Sequence, residues 1–488
     1  MRAPYKRVAV IGAGPSGLAA VRALKQENIF EYVRVFERKS CVGGLWAYEA
    51  EPDKFQPASN AVEKSSDIPS SLGLHNPCFT PPCPKRPGLG NASYETLDTN
   101  AGARTMSFTH TPLPIANSAG SLRRYGPGNS TRPRSAVLQY IEELFAPSVN
   151  LISFETHVER IEKKDDGKWL LTLRRENIAT EEEGLTVMRD YWWQDLFDAV
   201  VVASGHFTVA SVPEIEGLAE TWAKYPEKFE HSKSWRSPEH YADKKVVVVG
   251  GGISAADLAE ELHGIVKGPL YISRRGEVGF LEEAWALPNI VSKPTIIRIT
   301  SAEGGTLEFA DGSTVSRFDK IIFATGYKLS YPFLPFNAVT PQNRLAGFYQ
   351  HVFRIGDPSL AVIGQVRAAI SFRIYEYQAV AVARFLAGRS QSLPAKEEQE
   401  EWERTRVEHK GPTELFHEIK PDFFEYYGWL RDFAGPPAEG TEGYILPEFK
   451  DEWVDSDVEV LIAKGKYWAA LAQAKQCLPP SKNGAINA

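Results

Sequence analysis

The fold of this 488-residue chain is decided by the stretch Val8-Ala9-Val10-Ile11-Gly12-Ala13-Gly14-Pro15-Ser16-Gly17. Its first four residues are β-branched or small and apolar, which predicts a buried parallel strand, and the seven residues after it predict a helix. The pattern Gly-x-Gly-x-x-Gly between a strand and a helix is typical of a dinucleotide-binding turn. Gly12 permits the tight turn, Gly14 lets the backbone approach a pyrophosphate, and Gly17 lets the helix lie close to the strand. The N-terminus of such a helix attracts phosphate through its free N–H groups.

An acidic residue follows the next predicted strand. The residues Val33-Arg34-Val35-Phe36 predict that strand, and Glu37 ends it about 20 residues after the glycine turn, where an acid accepts hydrogen bonds from ribose hydroxyls. Soon after Arg38 comes Gly43-Gly44-Leu45-Trp46, which indicates a backbone that passes close to a cofactor, with Trp46 closing over it. The N-terminal region therefore predicts a site for a dinucleotide with a free adenosine ribose.

A second stretch repeats the design in the middle of the chain. It reads Val246-Val247-Val248-Val249-Gly250-Gly251-Gly252-Ile253-Ser254-Ala255, with Ala255 in the place of the third glycine, which the dinucleotide pattern allows. The following predicted strand, Leu270-Tyr271-Ile272-Ser273, ends at Arg274-Arg275 instead of an acid. Arginine pairs in bidentate fashion with a 2′-phosphate that a carboxylate would repel. We therefore expect NADPH at the second site, with a solvated basic turn as the alternative interpretation of the two arginines.

Two such units predict an α/β protein with two Rossmann-like dinucleotide-binding domains, each a layered βαβ structure. Residues 198–205 and 318–327 both read as strands that end in small residues, and we interpret them as the two crossings between the domains. The expected division is an FAD-binding domain of residues 1–206 and 326–488, with an NADPH-binding domain of residues 207–325 inserted into it. The charged and aromatic last hundred residues predict a helical C-terminal extension that packs on the first domain.

Composition excludes several classes of protein. The net charge of −7 is mixed along the chain and gives no nucleic-acid footprint, and no apolar run is long enough to span a bilayer. The first predicted strand begins at about residue 6, which leaves no room for a signal peptide, so we expect a cytoplasmic protein. The sequence leaves the oligomeric state open, a homodimer included.

The cysteines predict neither a disulfide framework nor a redox centre. There are four in the chain, Cys41, Cys78, Cys83 and Cys477, which is too few to staple a protein of this length. Cys78 and Cys83 have a dithiol-like spacing but lie in a proline-rich loop with no helix N-terminus to lower a thiol pKa. We interpret these cysteines as ordinary loop thiols.

Five motifs together resemble those of the class B flavin-containing monooxygenases, especially their fungal members, and the resemblance covers nearly the whole chain. The motifs are Gly12-x-Gly14-x-x-Gly17, Gly43-Gly44-Leu45-Trp46, Tyr94-x-x-Leu97-x-Thr99-Asn100, Gly250-x-Gly252-x-x-Ala255 and Ala324-Thr325-Gly326-Tyr327.

One motif departs from that family. The family carries Phe-x-Gly-x-x-x-His before its second nucleotide site, and here Tyr225 and Glu227 precede the matching His231. A Glu in place of Gly requires a backbone that avoids positive φ at this position. The departure leaves open how the chain separates from the related Baeyer–Villiger branch.

The resemblance implies FAD and NADPH as cofactors and a small molecule and O2 as substrates. In the implied cycle NADPH reduces FAD, the reduced flavin forms a C4a-hydroperoxide with O2, bound NADP+ shields it, and a sulfur or nitrogen nucleophile attacks the distal oxygen. Asn100 is the implied catalytic residue, beside the flavin, although a lone loop asparagine is otherwise a turn former. Gly364 and Gln365 are expected near the isoalloxazine. The complete set of expected cofactor-binding residues is Gly12, Ala13, Gly14, Pro15, Ser16, Gly17, Glu37, Arg38, Gly44, Leu45, Trp46, Thr99, Asn100, Val158, Gly250, Gly252, Ser254, Ala255, Ala256, Asp257, Arg274, Arg275, Thr325, Gly326 and Gln365.

Three alternatives remain. A disulfide reductase or NADPH oxidase on the same plan would need a redox-active cysteine pair, and Leu45 and Trp46 stand where such enzymes carry cysteines. Baeyer–Villiger oxygenation of a ketone or aldehyde would use the same peroxide in deprotonated form. A flavin-binding protein without turnover, acting as a sensor or partner, is the third.

Overall fold

Two parallel sheets organise the part of the chain that the computed structural model describes, which is residues 5–57, 65–84, 89–182 and 184–476. Cys477 lies outside these ranges. The strands are, in chain order, β1 Arg7–Ile11, β2 Tyr32–Phe36, β3 Cys78–Thr80, β4 Ile152–Ser153, β5 Thr156–Lys163, β6 Trp169–Glu182, β7 Leu185–Phe197, β8 Ala199–Val202, β9 Val209–Ala210, β10 Phe229–His231, β11 Val246–Val249, β12 Leu270–Ser273, β13 Ile290–Lys293, β14 Ile296–Thr300, β15 Thr306–Phe309, β16 Thr314–Ser316, β17 Lys320–Phe323, β18 Tyr327–Lys328, β19 Phe348–Tyr349, β20 Phe353–Arg354 and β21 Leu360–Val362. The helices are α1 Pro15–Gln26, α2 Ala119–Tyr125, α3 Arg134–Phe145, α4 Leu218–Lys224, α5 Ile253–Leu262, α6 Glu282–Trp285, α7 Ser371–Leu386, α8 Lys396–Lys410, α9 Phe423–Ala434 and α10 Glu452–Gln476.

The first sheet has the order β19-β20-β21-β8-β1-β2-β4, with β1 parallel to both β2 and β8. Alternate residues of β1 face opposite sides: Val8 and Val10 pack into one hydrophobic core with α1 and α7, whereas Ala9 and Ile11 pack into another with the β5–β7 strands. A strand that is covered on both faces needs a continuous apolar run, which explains why β1 shows no polar alternation.

The second sheet has the order β10-β17-β11-β12-β13, and all its strands are parallel. In sequence, the whole sheet falls between β8 and β21, which are neighbours in the first sheet. This topology confirms the predicted fold class of one Rossmann-like unit inserted into another. The domain limits at residues 206 and 326 stay a prediction.

The chain passes between the two units twice, and the two passages pair with each other. Strands β9 and β18 are antiparallel, with Ala210 opposite Tyr327 and Val209 opposite Lys328. The predicted crossings at residues 198–205 and 318–327 contain β8 of the first sheet and β17 of the second, and the ribbon follows the first of them and begins at the last residue of the other.

A hairpin of long strands lies beside the first sheet. Strands β5 and β6 are antiparallel around the turn at residues 164–168, where Gly167 N–H donates to Lys164 O. Strands β7 and β3 extend these two into a four-stranded antiparallel sheet. Within it, Arg174 is almost fully buried and pairs with Glu159 at 2.8 Å and Asp190 at 2.7 Å.

The C-terminal helices follow the prediction in part. Helix α7 begins at Ser371 and packs with α9 against α1. The expectation that the last hundred residues pack on the first unit is wrong for the second half of α10. Trp453 joins the core of the first unit, but Trp468 is completely buried in the core of the second, because α10 runs across both.

Two further findings concern the described ranges. None of their helices combines the length and the apolar character that crossing a bilayer requires. Nor do their side chains form a group of three or more His, Cys, Asp or Glu residues that could hold a metal ion.

Candidate active site

In the first glycine turn, the packing of the chain's own backbone requires two of the glycines, Gly12 and Gly17. Gly12 has a φ of +105°, and a Cβ on it would lie 2.6 Å from Ala203 O. A Cβ on Gly17 would lie 2.0 Å from Gly12 O, so a side chain there would push α1 away from β1. Gly14 differs: its backbone is extended and a Cβ would meet only Gly44, at 3.5 Å. The described protein atoms therefore do not require glycine at this position, and the bare backbone of Gly14 leaves space on the cavity for a ligand.

A cavity of about 290 Å³ opens in front of this turn. No side chain among the described residues caps the N-terminus of α1, which leaves its first N–H groups free for an anion. Ten of the expected cofactor-binding residues line the cavity, namely Gly12, Gly14, Pro15, Ser16, Glu37, Arg38, Gly44, Leu45, Trp46 and Val158. The cavity thus brings together the residues of the two N-terminal motifs, and a dinucleotide fits its chemistry.

Glu37 fastens the two turns that form the end of this cavity. Its Oε2 accepts the Ala13 N–H at 2.7 Å and its Oε1 accepts the Lys39 N–H at 2.8 Å, and the side chain is 6% exposed. Ala13 therefore contributes through its backbone. Arg38 reaches Thr208 Oγ1 at 3.4 Å on the opposite wall.

The motif of Gly43 to Trp46 lies against the glycine turn, backbone to backbone. Gly44 has a φ of +55°, and a Cβ on it would lie 3.0 Å from Gly14 Cα. The turn Gly44–Trp46 is a short 3-10 helix, and the Trp46 ring meets Phe372 edge to face at 6.4 Å. Two bare backbones and an aromatic side are what a flat cofactor with a pyrophosphate requires.

Sequence reasoning missed the far wall of the cavity. It is formed by residues that follow β8, residues around β18 and the first turn of α7: His206, Phe207, Thr208, Lys328, Ser330, Pro332, Phe333, Ser371, Phe372 and Tyr375. For His206 a signal existed, since it follows the carboxyl end of a parallel strand, where ligands bind in such sheets. For Phe372 and Tyr375 there was none, because only the tertiary fold brings α7 to this place.

His206 is a neutral imidazole in that wall. Burial, with the nearby Arg367 charge, lowers the pKa of His206 to about 4. Its Nδ1 is buried and has no hydrogen-bond partner among the described residues. A polar atom that is left unpaired in a cavity wall indicates a ligand that would supply the partner.

The second glycine turn repeats these properties. Gly250 has a φ of +147°, and a Cβ on it would lie 2.3 Å from Ala324 O, whereas a Cβ on Gly252 meets no described atom within 4 Å. The N-terminus of α5 has no side-chain cap from the described part of the chain. Ala255 and Ala256 are completely buried and Ser254 is exposed, so this turn offers backbone N–H groups and one hydroxyl to a pyrophosphate.

Arg274 is held in place by a carboxylate. Its Nη1 and Nη2 lie 3.2 and 3.0 Å from the two oxygens of Glu282, and its Nε is buried without a partner in the described ranges. The guanidinium carbon lies 5.6 Å from the centre of the Trp285 ring. Arg275 is exposed. The Nε of Arg274 is thus a buried donor that has no acceptor among the described residues.

The residues expected at the domain crossing lie there. Thr325 Oγ1 donates to Ser211 O, and Gly326 has a φ of +79°, next to the β9–β18 ribbon. Gln365 is buried and accepts a hydrogen bond from Tyr331 Oη at 2.6 Å, and its neighbour Gly364 lines the cavity. Glu227 lies in the 3-10 turn Pro226–Lys228 and does not have a positive φ, as the sequence predicted.

Thr99 and Asn100 lie apart from the cavity lining. Thr99 Oγ1 donates to Ala101 O at 2.8 Å and accepts the Arg132 N–H at 3.1 Å, so this hydroxyl braces its own loop. Asn100 instead faces the second unit, where its Nδ2 donates to Asp257 Oδ2 at 3.4 Å. The structure therefore brings together two predicted site residues from different units, Asn100 and Asp257.

The thiols lie away from this arrangement. No cysteine is among the described residues that line the cavity. Cys41 is exposed, and burial raises the pKa of the Cys83 thiol, which makes it a weaker nucleophile at neutral pH.

Comparison with known proteins agrees with this geometry. A family model described as flavin-binding monooxygenase-like matches residues 129–285 and 281–435, and one for the NAD(P)-binding Rossmann-like domain matches residues 10–65. The chain is similar to flavin-containing monooxygenase FMO GS-OX4 of Arabidopsis thaliana, with 30% identity over 476 residues that cover 93% of this chain and 92% of the relative.

Two solved structures share the fold. S-allyl-L-cysteine S-oxygenase from Allium sativum superposes with a TM-score of 0.70 at 25% identity, covering 96% of this chain and 98% of that one. Tmm from Pelagibacter sp. strain HTCC7211 has a TM-score of 0.62 at 21% identity, covering 95% and 90%, a likeness that shows the fold.

Proposed function

The chain belongs to the flavin-binding monooxygenase-like family, and from this premise we propose that it uses NADPH and O2 to oxygenate a soft sulfur or nitrogen nucleophile of a small molecule. It is a flavin-containing monooxygenase with FAD and NADPH as cofactors. The substrate class and the route of oxygen transfer are the proposed part.

One observation carries the proposal: no thiol is among the described lining residues of the nucleotide cavity, and the chain has a second glycine turn that is followed, after α5 and β12, by Arg274. A disulfide reductase would need a cysteine pair at the flavin, and none of the described lining residues is a cysteine. The similarity to a protein named as an S-oxygenase, at 25% identity over almost the full chain, supports a thioether as the first substrate class to test.

In this proposal the residues bind, orient and exclude water. For FAD, the free N–H groups at the start of α1 bind the pyrophosphate and Glu37 binds the ribose. For NADPH, the free N–H groups at the start of α5 bind the pyrophosphate and Arg274 binds the 2′-phosphate. When bound, FAD takes hydride from NADPH and activates O2. The aromatic wall that includes Trp46 and Phe372 keeps water from the reacting centre. One oxygen atom enters the substrate and the other leaves as water.

Several finer points belong to the same proposal. FAD binding is assigned to residues 1–206 and 326–488, and NADPH binding to residues 207–325. A flavin hydroperoxide protected by bound NADP+ is the route that the family resemblance implies. A cytoplasmic location and a homodimeric state remain predictions.

The test measures how much oxygenated product and how much H2O2 form for each NADPH consumed. Purified holoenzyme is given NADPH and O2 with a dialkyl sulfide, a tertiary amine or a cyclic ketone, and NADPH consumed, oxygenated product and H2O2 released are measured together. The proposal expects close to one sulfoxide or N-oxide for each NADPH, with little H2O2. Peroxide equal to the NADPH consumed with every substrate would indicate an oxidase, and an ester or lactone from the ketone would indicate the Baeyer–Villiger alternative.

A further inference from the structure

We propose that Lys464, on the C-terminal helix α10, is a positioning residue for the oxygenation: it holds the Asp257 carboxylate, which orients the Asn100 amide toward the bound nicotinamide dinucleotide. The inference rests on the proposed function, because it takes Asn100 to be the residue that meets the dinucleotide. The three side chains come from three different segments, namely the loop before α2, helix α5 and helix α10.

Of the two polar atoms of the Asn100 amide, Nδ2 has a hydrogen-bond partner and Oδ1 has none among the described residues. A carboxylate offers only acceptors, so the amide must turn its NH2 group toward Asp257, which lies at 3.4 Å. The amide oxygen then points the other way, where it is buried and has no partner among the described residues. Buried acceptors are rarely left without a donor. A ribose hydroxyl or the carboxamide NH2 of a nicotinamide dinucleotide is a donor of the right chemistry.

Lys464 fixes the carboxylate that sets this orientation. Its Nζ lies 2.5 Å from Asp257 Oδ1, so each oxygen of Asp257 has its own partner, Lys464 on one and Asn100 on the other. The side chains of Lys464 and Asp257 are 9% and 19% exposed, so bulk water competes little with the ion pair. Asp98 and Glu260 also face this cation.

Helix α10 is anchored on both sides of Lys464. Near its start, a Cβ on Gly102 would lie 2.2 Å from Ser456 O, so the helix rests directly on the backbone of the Asn100 loop. Beyond Lys464, Trp468 is completely buried, and its Nε1 donates to Glu260 Oε2 at 2.6 Å. A lysine between two such anchors has a fixed place, which a positioning residue needs.

Three acidic residues of α5 form ion pairs with basic residues of two other helices, α2 and α10. Asp257, Glu260 and Glu261 are spaced i, i+3 and i+4, which puts them on one face of the helix. Arg124 of α2 lies 2.6 Å from Glu260 and 2.5 Å from Glu261, and Lys464 takes Asp257. The helix that begins at the second glycine turn is thus clamped to the first unit by α2 and α10.

The test compares Lys464→Met with Lys466→Met, which removes an equal charge from the exposed side of the same helix. NADP+ affinity is measured from the change in flavin absorbance of the holoenzyme, and the H2O2 released per NADPH is measured in turnover. We expect Lys464→Met to weaken NADP+ binding by about 3- to 10-fold, the effect of one lost hydrogen bond, and to raise the peroxide fraction. Lys466→Met should change neither, and Lys464→Arg should restore both.

Two further variants separate positioning from a general loss of structure. Asp257→Asn keeps the size of the side chain but can donate to the Asn100 oxygen, so it should reproduce the effects of Lys464→Met with normal FAD content. In an Asn100→Ala background, Lys464→Met should add nothing to either readout. Equal effects from Lys464→Met and Lys466→Met, or additive effects of Lys464→Met and Asn100→Ala, would overturn the proposal. Its failure is distinguishable from that of the proposed function, because NADP+ binding is measured whether or not any substrate is oxygenated.

Discussion

Replacing Gly14 by alanine should separate cofactor binding from folding. The backbone at Gly14 has φ −82° and ψ −170°, which alanine adopts without strain, and the new methyl group would make only ordinary contacts with Gly44, at 3.5 and 3.9 Å. Gly→Ala at a compatible site stabilises by about 0.4–1 kcal/mol, through the unfolded state. We therefore expect the FAD-free Gly14→Ala protein to be as stable as the wild type or slightly more so.

FAD binding should respond in the opposite direction. The methyl group occupies space on the cavity side of the turn, where overpacking costs about 1–3 kcal/mol. This cost corresponds to a dissociation constant for FAD that is about 5- to 150-fold higher. Urea unfolding of the FAD-free protein and quenching of flavin fluorescence on titration measure the two quantities.

Gly17→Ala is the matched comparison for this experiment. Its methyl group would lie 2.0 Å from Gly12 O, so it should destabilise the protein even without FAD. Unchanged FAD affinity in Gly14→Ala, or a loss of stability equal to that of Gly17→Ala, would refute the reasoning.

Three other predictions concern NADPH and pH. Gly252→Ala, whose methyl group meets no described atom within 4 Å, should leave FAD content unchanged and raise the KM for NADPH in steady-state assays. Arg274→Ala should reduce the preference for NADPH over NADH in kcat/KM by about 10- to 100-fold, the loss of a charged hydrogen bond, and the same change at the exposed Arg275 should do less. Unfolded histidines take up a proton below pH of about 6.5, whereas burial keeps the folded pKa of His351 far lower, so the unfolding free energy should fall from pH 6.5 downward, by about 2 kcal/mol per such histidine at pH 5. Urea midpoints at pH 7.5 and 5 check this, with His351→Gln flattening the slope and the exposed His240→Gln leaving it unchanged. Burial lowers the pKa of three more histidines in the same way, to about 4, 4 and 3 for His206, His231 and His417.

The sequence predicted those parts of the site that lie close together along the chain. Local rules that link residue type to backbone shape predicted both glycine turns, and the structure has a strand, a turn and a helix at each of them. The same rules placed an acid directly after β2 and two arginines directly after β12. The insertion could be predicted as well, because the second strand–glycine–helix pattern falls between two strands that end in small residues.

The rest of the site depends on packing over long sequence separations. Phe372 and Tyr375 line the cavity because β21 pairs with β8 and carries α7 onto α1, and no local pattern encodes that pairing. Likewise, nothing in the composition of α10 indicates that Trp453 and Trp468 enter different cores. Lys464 lies on the helix between these two tryptophans, so its contact with Asp257 could be seen only in the structure.

Because β8 pairs with β21, one edge of β8 is covered only late in the synthesis of the chain. When β8 leaves the ribosome its partner on one side, β1, is already available, but its other edge stays open until β21 emerges. The whole second sheet is translated in between, so the inserted unit has all its strands while the unit that surrounds it is still incomplete. A nascent chain stalled or cut before Leu360 would therefore present the apolar edge of β8, a template for pairing with another chain. The edge of β8 is covered only when β21, the last strand of the outer sheet, has been made.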